Sequence, residues 1–166
     1  MNTDYSKPNT IHLVPEPIVL IFGKICSGKS TYANALSYVT KAKHITVSDI
    51  VKRVSGATTR STLQMTHNLD EAIAVELVKE IEKYGKVVVD GIRQKSIVDW
   101  LLKHFHRDDI LMLWLDTPDE IREYRFRDRI MTKDDISFEQ ADQRDVELGL
   151  LELQEALKKQ YVIINN

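Results

Sequence analysis

Short runs of uninterrupted apolar residues alternate along this chain with longer stretches whose apolar positions recur every three or four residues. The runs Ile18-Val19-Leu20-Ile21-Phe22, Val87-Val88-Val89, Ile110-Leu111-Met112-Leu113-Trp114-Leu115 and Val162-Ile163-Ile164 are apolar on both faces, as strands are when both sides of their sheet are covered. With a shorter segment after His44 they predict strands over 18–22, 44–47, 86–90, 110–115 and 161–164. Helical periodicity predicts helices over 29–39, 49–55, 68–84, 94–105, 118–131 and 138–159. In the third of these, Leu69, Ile73, Leu77 and Ile81 stand four apart, and Gly85 marks the stop. Such alternation implies parallel strands joined by right-handed crossovers, so the expected fold class is α/β with three layers.

The chain has 166 residues, 43% of them hydrophobic, which suffices for one sizeable core. Residues 18–166 are therefore expected to form a single domain. Residues 1–17, polar and carrying Pro8, Pro15 and Pro17, are expected to be a flexible extension without a signal-peptide pattern. The polar break 132–137 separates two predicted helices, and with the segment before it makes 122–137 a candidate lid. Net charge is −2 with basic residues spread along the sequence, which excludes an overall cationic field but not a local basic groove. Cys26 is the only cysteine, so no internal disulfide can form, and a reducing, cytoplasmic setting is expected. No apolar run approaches the roughly 20 residues that span a bilayer, so no membrane partner is expected.

Between the first predicted strand and the first predicted helix stands Gly23-Lys24-Ile25-Cys26-Ser27-Gly28-Lys29-Ser30, followed by Thr31. Two glycines five apart, then lysine and serine, in a strand-to-helix connection, form the pattern of a phosphate-binding loop. Its backbone N–H groups wrap an anion, the lysine reaches the outer phosphates, and the serine hydroxyl can hold Mg²⁺ at the helix N-terminus. A nucleoside triphosphate is the expected ligand. Cys26 reads as a small structural residue of the loop, although Lys29 nearby could lower its pKa and expose the loop to oxidation.

Other polar residues fall where parallel strands end, the side on which doubly wound sheets bind ligands. Asp49 follows the second strand and can accept the proton of an attacking hydroxyl or orient an acceptor; it or Ser48 could instead cap a helix. Arg53, one turn on, would bind an acceptor phosphate, and the stretch 51–70, with Lys52, Arg53 and Arg60, would form a small acceptor lobe. Asp90 ends the strand Val87-Val88-Val89, a position from which a carboxylate can hold Mg²⁺ through water. Asp116 is its competitor, but Thr117-Pro118 reads as a helix start and suggests capping. Arg93 could clamp an acceptor phosphate bidentately.

Arg122, Arg125 and Arg129 share a helical face, which suits either a closing catalytic lid or a solvated surface paired with Glu123 and Asp128. Thr132-Lys133-Asp134-Asp135 superficially matches a guanine-reading tetrapeptide but follows a helix instead of ending a strand. His12, His44, His67, His104 and His106 show no spacing suited to a metal site.

Val-Val-Val-Asp-Gly-Ile-Arg at 87–93, Thr117-Pro118 before the arginine triplet, Asp134-Asp135 before Phe138, Arg144-Asp145-Val146-Glu147-Leu148-Gly149 and Tyr161-Val162-Ile163-Ile164-Asn165 together resemble archaeal P-loop kinases related to dephospho-coenzyme A kinase. More broadly the chain is similar to the nucleoside monophosphate kinase group. The resemblance implies a five-stranded parallel sheet with the first strand central and transfer of the γ-phosphate of ATP, with Mg²⁺. It also implies lid arginines at Arg125 and Arg129, and a closing role for Arg144 with Asp145. The chain departs from that pattern at Lys24-Ile25-Cys26, where small residues are usual, and in lacking a long acceptor-binding insert.

The leading expectation is an ATP-dependent phosphotransferase acting on a nucleotide-like acceptor. One alternative is a kinase for a hydroxyl on nucleic acid, such as a 5-hydroxymethyl pyrimidine in viral DNA or a 5′-OH end. Another is a regulatory ATPase without transfer, which would need an element that changes order on loss of the terminal phosphate.

Overall fold

The computed structural model describes residues 17–56, 69–129 and 136–166. The extension before residue 17, most of the acceptor lobe including Arg60, and the lid segment 130–135 lie outside the described residues.

Strand β1 (Ile18–Phe22) is buried at every position and lies at the centre of a five-stranded sheet. Its neighbours are β3 (Val87–Asp90) and β4 (Ile110–Asp116), with β2 (Lys43–Thr46) and β5 (Val162–Asn165) at the edges, giving the order β2-β3-β1-β4-β5. Every pairing is parallel. The sheet is double-faced because its side chains alternate. Ile18, Leu20 and Phe22 join one buried cluster with Val87, Val89 and Met112, while Val19 and Ile21 join another with Val88 and Leu113.

The first face is covered by α2 (Val47–Ser55), α3 (Asp70–Tyr84), α4 (Lys95–His104) and α7 (Leu150–Leu157), which contribute Ile50, Leu77, Leu101 and Leu153 among others. The second is covered by α1 (Lys29–Thr40), which contributes Ala33 and, at the margin, Tyr32 and Leu36. Helices α5 (Asp119–Arg129) and α6 (Phe138–Glu147) stand apart from both. With residues 25 and 26 they build a third cluster, of Ile25, Cys26, Phe126 and Ala141.

Two predicted elements are corrected. Val47, expected to end β2, is the first residue of α2; it is buried beneath the helix, which begins two residues earlier than its polar start suggested. The helix expected over 138–159 is two helices, because Gly149 adopts φ 100°, a left-handed conformation that an uninterrupted helix cannot contain. The break frees α7 to direct Leu150, Leu153 and Leu157 into the main core, while Ala141 on α6 meets residues 25 and 26. The start of α6 is fixed by a capping box, in which Gln140 N–H donates to Ser137 Oγ and Ser137 N–H donates to the Gln140 side chain.

Candidate functional site: the phosphate-binding loop and its clamp

The loop from Gly23 to Ser30 leaves β1 at the carboxyl end of the sheet and runs into α1. Both glycines are required by the geometry. Gly23 has φ 149°, and a Cβ there would lie 2.7 Å from the Leu115 carbonyl oxygen and 2.6 Å from Ser27 Oγ. Gly28 has φ 90° and precedes the first residue of α1. No side chain caps that helix, and its first intrahelical bond runs from Tyr32 N–H to Gly28 O. The amides of Lys29, Ser30 and Thr31 therefore have no helical acceptor and point out of the helix start, a ready site for negative charge.

Cys26 carries φ 59°, a conformation that costs a non-glycine residue about 1–2 kcal/mol and persists only where surroundings impose it. Here the surroundings are α5 and α6. The Ile25 N–H donates to Asp145 Oδ2 (2.8 Å), and Arg122 Nη1 donates to the Ile25 carbonyl (3.1 Å). Arg125 Nη1 donates to the Cys26 carbonyl (3.3 Å), while Thr117 Oγ1 and Asn166 Nδ2 both donate to the Ser27 carbonyl, at 3.1 and 2.7 Å. Polar groups of three successive loop residues are thus gripped from outside. The departure at Lys24-Ile25-Cys26 acquires a reason: Ile25 and Cys26 are the apolar floor on which α5 and α6 sit.

Arg122 is 1% exposed and bonded to Asp119 (2.8 Å) and Asp142 (2.7 Å) as well as to the loop. The three side chains of the triplet Arg122, Arg125 and Arg129 are accordingly held in different surroundings. Arg122 is a strut, Arg125 touches the loop, and Arg129 lies with its guanidinium 5.8 Å from the Phe126 ring.

On the loop's inner side, Lys29 Nζ donates to the Lys24 carbonyl at 2.6 Å and lies 3.5 Å from Ser27 Oγ. Desolvation pushes its pKa down to about 8, against the opposing pull of Asp145 and Asp90 and with Arg93 adding to the fall. Asp145 is 3% exposed and forms an ion pair with Arg93. Burial works to raise its pKa, but Arg93, Lys29 and the Ile25 N–H outweigh burial and hold the carboxyl below its ordinary value. Arg93 also donates to the Gly91 carbonyl (3.3 Å). Arg144 is half-buried in the last turn of α6.

Ser30 Oγ lies 3.4 Å from Asp90 Oδ1, which unites the first residues of α1 with the end of β3. Hydroxyl and carboxylate oxygens are the hard donors that Mg²⁺ prefers, and Mg²⁺ usually takes one or two protein groups while keeping several waters. The pair fits that demand. Among the described residues no group of three or more His, Cys, Asp or Glu side chains could hold a metal by itself.

Asp49 sits in the first turn of α2, exposed, with a carboxylate oxygen 4.0 Å from Lys52 Nζ. Arg53 is ion-paired with Glu80 on α3. The sequence reading missed the struts Arg122, Thr117 and Asn166, which are distant in sequence from the loop they hold.

Beside the loop, Asp116, Thr117, Pro118, Asp119, Ile121, Asn165 and Asn166 line an open depression of about 540 Å³. It lies between the start of α5 and the residues closing β5. Residues 19–148 match a family described as AAA domain. The chain belongs to that family.

No curated protein matches it. Several solved structures share its fold. Shikimate kinase from Acinetobacter baumannii in complex with shikimate superimposes with a TM-score of 0.59 at 17% identity, covering 91% of this chain and 83% of that one. A gluconokinase from Sinorhizobium meliloti gives 0.55 at 18% identity, covering 92% and 83%. TT1252 from Thermus thermophilus gives 0.58 at 18% identity, covering 91% and 88%. The fold is thus of the P-loop nucleoside triphosphatase type, shared with the shikimate kinase and the gluconokinase. Among the described residues no helix is long and apolar enough to cross a membrane.

Proposed function

We propose that this protein is an ATP-dependent phosphotransferase that moves the γ-phosphate of ATP, with Mg²⁺, to a hydroxyl of a small anionic acceptor of nucleotide-like or dephospho-coenzyme A-like character. The observation that carries this reading is the convergence of Lys29, Ser30, Asp90, Arg93 and Arg125 around one phosphate-binding loop held by two helices. The names of the structural neighbours support a small-molecule acceptor.

In this reading the amides of Cys26 and of Gly28 to Thr31 receive the triphosphate, with Gly23, Lys24, Ile25 and Ser27 shaping the loop around it. Ser30 and Asp90 would hold Mg²⁺, which when bound neutralises charge on the phosphate oxygens. Asp49 takes the acceptor's hydroxyl proton, or orients that hydroxyl, as the new O–P bond forms and the bond from the γ-phosphorus to ADP breaks. Lys29, Arg125 and Arg129 face the charge that develops on the transferred group. Arg93, Arg53 and Arg144 receive the acceptor's own anionic group, Arg53 only after leaving Glu80. Residues 122–137 close over the site, and 18–166 act as one domain. A cytoplasmic setting belongs to the same reading.

A panel of nucleotides, dephospho-coenzyme A, hydroxy acids, hydroxymethylated DNA and 5′-OH oligonucleotides, incubated with γ-labelled ATP and Mg²⁺, tests the reading. Label should pass to a small anionic member of the panel and depend on Asp49, with Asp49→Asn lowering turnover more than ATP affinity. Label reaching only DNA would establish the polymer kinase instead. Label appearing solely as free phosphate would establish the regulatory ATPase.

A further inference from the structure

We propose that His44 is a positioning residue for the magnesium site, holding one oxygen of Asp90 so that the other is presented to Ser30. The inference rests on the reading of Ser30 and Asp90 as the Mg²⁺-holding pair. His44 Nε2 lies 2.5 Å from Asp90 Oδ2, while Ser30 Oγ is 3.4 Å from the other carboxylate oxygen, Oδ1. An ionised carboxylate only accepts, so the imidazole N–H is the donor.

The register explains how an edge-strand histidine reaches this carboxylate. Thr46 pairs with Asp90 and His44 with Val88, so the parallel alignment places His44, Thr46, Val88 and Asp90 on one face of the sheet. That is the face covered by α1, whose first turn contains Ser30. His44 reaches forward diagonally past its direct partner, and Thr46 Oγ1, directly opposite Asp90, lies 3.4 Å from the same ring nitrogen.

Asp90 is 2% exposed, so little water is available to fix its orientation, and a carboxyl group can rotate between two equivalent settings. One strong bond from His44 removes that freedom. Groups that orient a metal-holding carboxylate typically contribute 10- to 100-fold to metal affinity without touching the metal. Pairing of β2 with β3 does not need this bond, because four registered residue pairs already join the strands.

The test is calorimetric binding of ATP to the full chain, with Mg²⁺ and again with EDTA, for the parent protein, His44→Phe and His44→Gln. Phe keeps a planar ring but cannot donate; Gln places an amide N–H near the position of Nε2. His44→Phe should lose about tenfold or more of the affinity gained from Mg²⁺. His44→Gln should retain it to within about threefold, and affinity in EDTA should be the same for all three. A Mg²⁺-dependent gain that survives in His44→Phe would overturn the inference. So would a parallel loss in EDTA, since His44 would then support the loop and not the metal. No gain from Mg²⁺ in the parent chain would remove the metal assignment itself, and this inference with it.

Discussion

Lys29→Ala should reduce phosphate transfer by about 10²- to 10³-fold, the usual consequence of deleting one preorganised donor to transition-state charge. The same substitution should not lower the melting temperature. Lys29 is a half-buried ammonium whose pKa falls to about 8 because desolvation disfavours its charged form. Relative to the unfolded chain, where lysine titrates near 10.4, keeping it protonated in the fold is a cost that is fully present below about pH 8. Removing the side chain removes that cost along with a bond to the Lys24 carbonyl. Initial-rate kinetics and a thermal melt together check the prediction. Turnover within about threefold of the parent would show that Lys29 does not meet the transferred phosphate, and a collapse of the melt would make it a structural residue.

Asp145→Asn should have the largest effect on stability, about 3–5 kcal/mol, the range seen when one partner of a buried ion pair is deleted. For a chain of this size that lowers the melting temperature by roughly 6–20 °C. The asparagine carbonyl can still accept the Ile25 N–H, but Arg93 and Lys29 lose the anion between them. The loss should depend on pH in a defined direction. The folded carboxyl titrates below the ordinary value near 3.9, so its contribution is complete above that value and fades as pH falls through the lower, folded one. The gap between parent and variant should be flat above about pH 5 and close on further acidification. Denaturant titrations across this range provide the measurement. A gap below about 1 kcal/mol at neutral pH would show that Asp145 does not tie α6 to the loop.

The contrast between these residues explains what could be read from the sequence. Lys29, Ser30 and the glycines lie within eight consecutive positions, and the backbone geometry they need is local, so motif and context sufficed. The strands were legible because β1, β3 and β4 are buried on both faces, which leaves a continuous apolar run. The order β2-β3-β1-β4-β5, with β1 central, agrees with the architecture the kinase resemblance implied.

The clamp was not legible. Arg122 sits in a stretch of four arginines in eight residues, where charge pattern cannot separate a buried strut from solvated neighbours. Only its bonds to Ile25, Asp119 and Asp142, and the Phe138 ring 5.2 Å from its guanidinium, distinguish it. Asp145 lies 120 positions from the amide it accepts. The helix break at Gly149 was overlooked because Leu150, Leu153 and Leu157 continue the apolar rhythm beyond it.

The account stands or falls on the loop being a seat for a triphosphate in which Lys29 changes its proton affinity. Titration of the intact chain with MgATP, in two buffers of different ionisation enthalpy, measures both binding and proton exchange. Binding of one nucleotide is predicted, with about one proton taken up near pH 9, where the unliganded lysine is largely neutral and phosphate restores its charge, and almost none near pH 6.5. Absence of any binding by the folded protein would contradict the account.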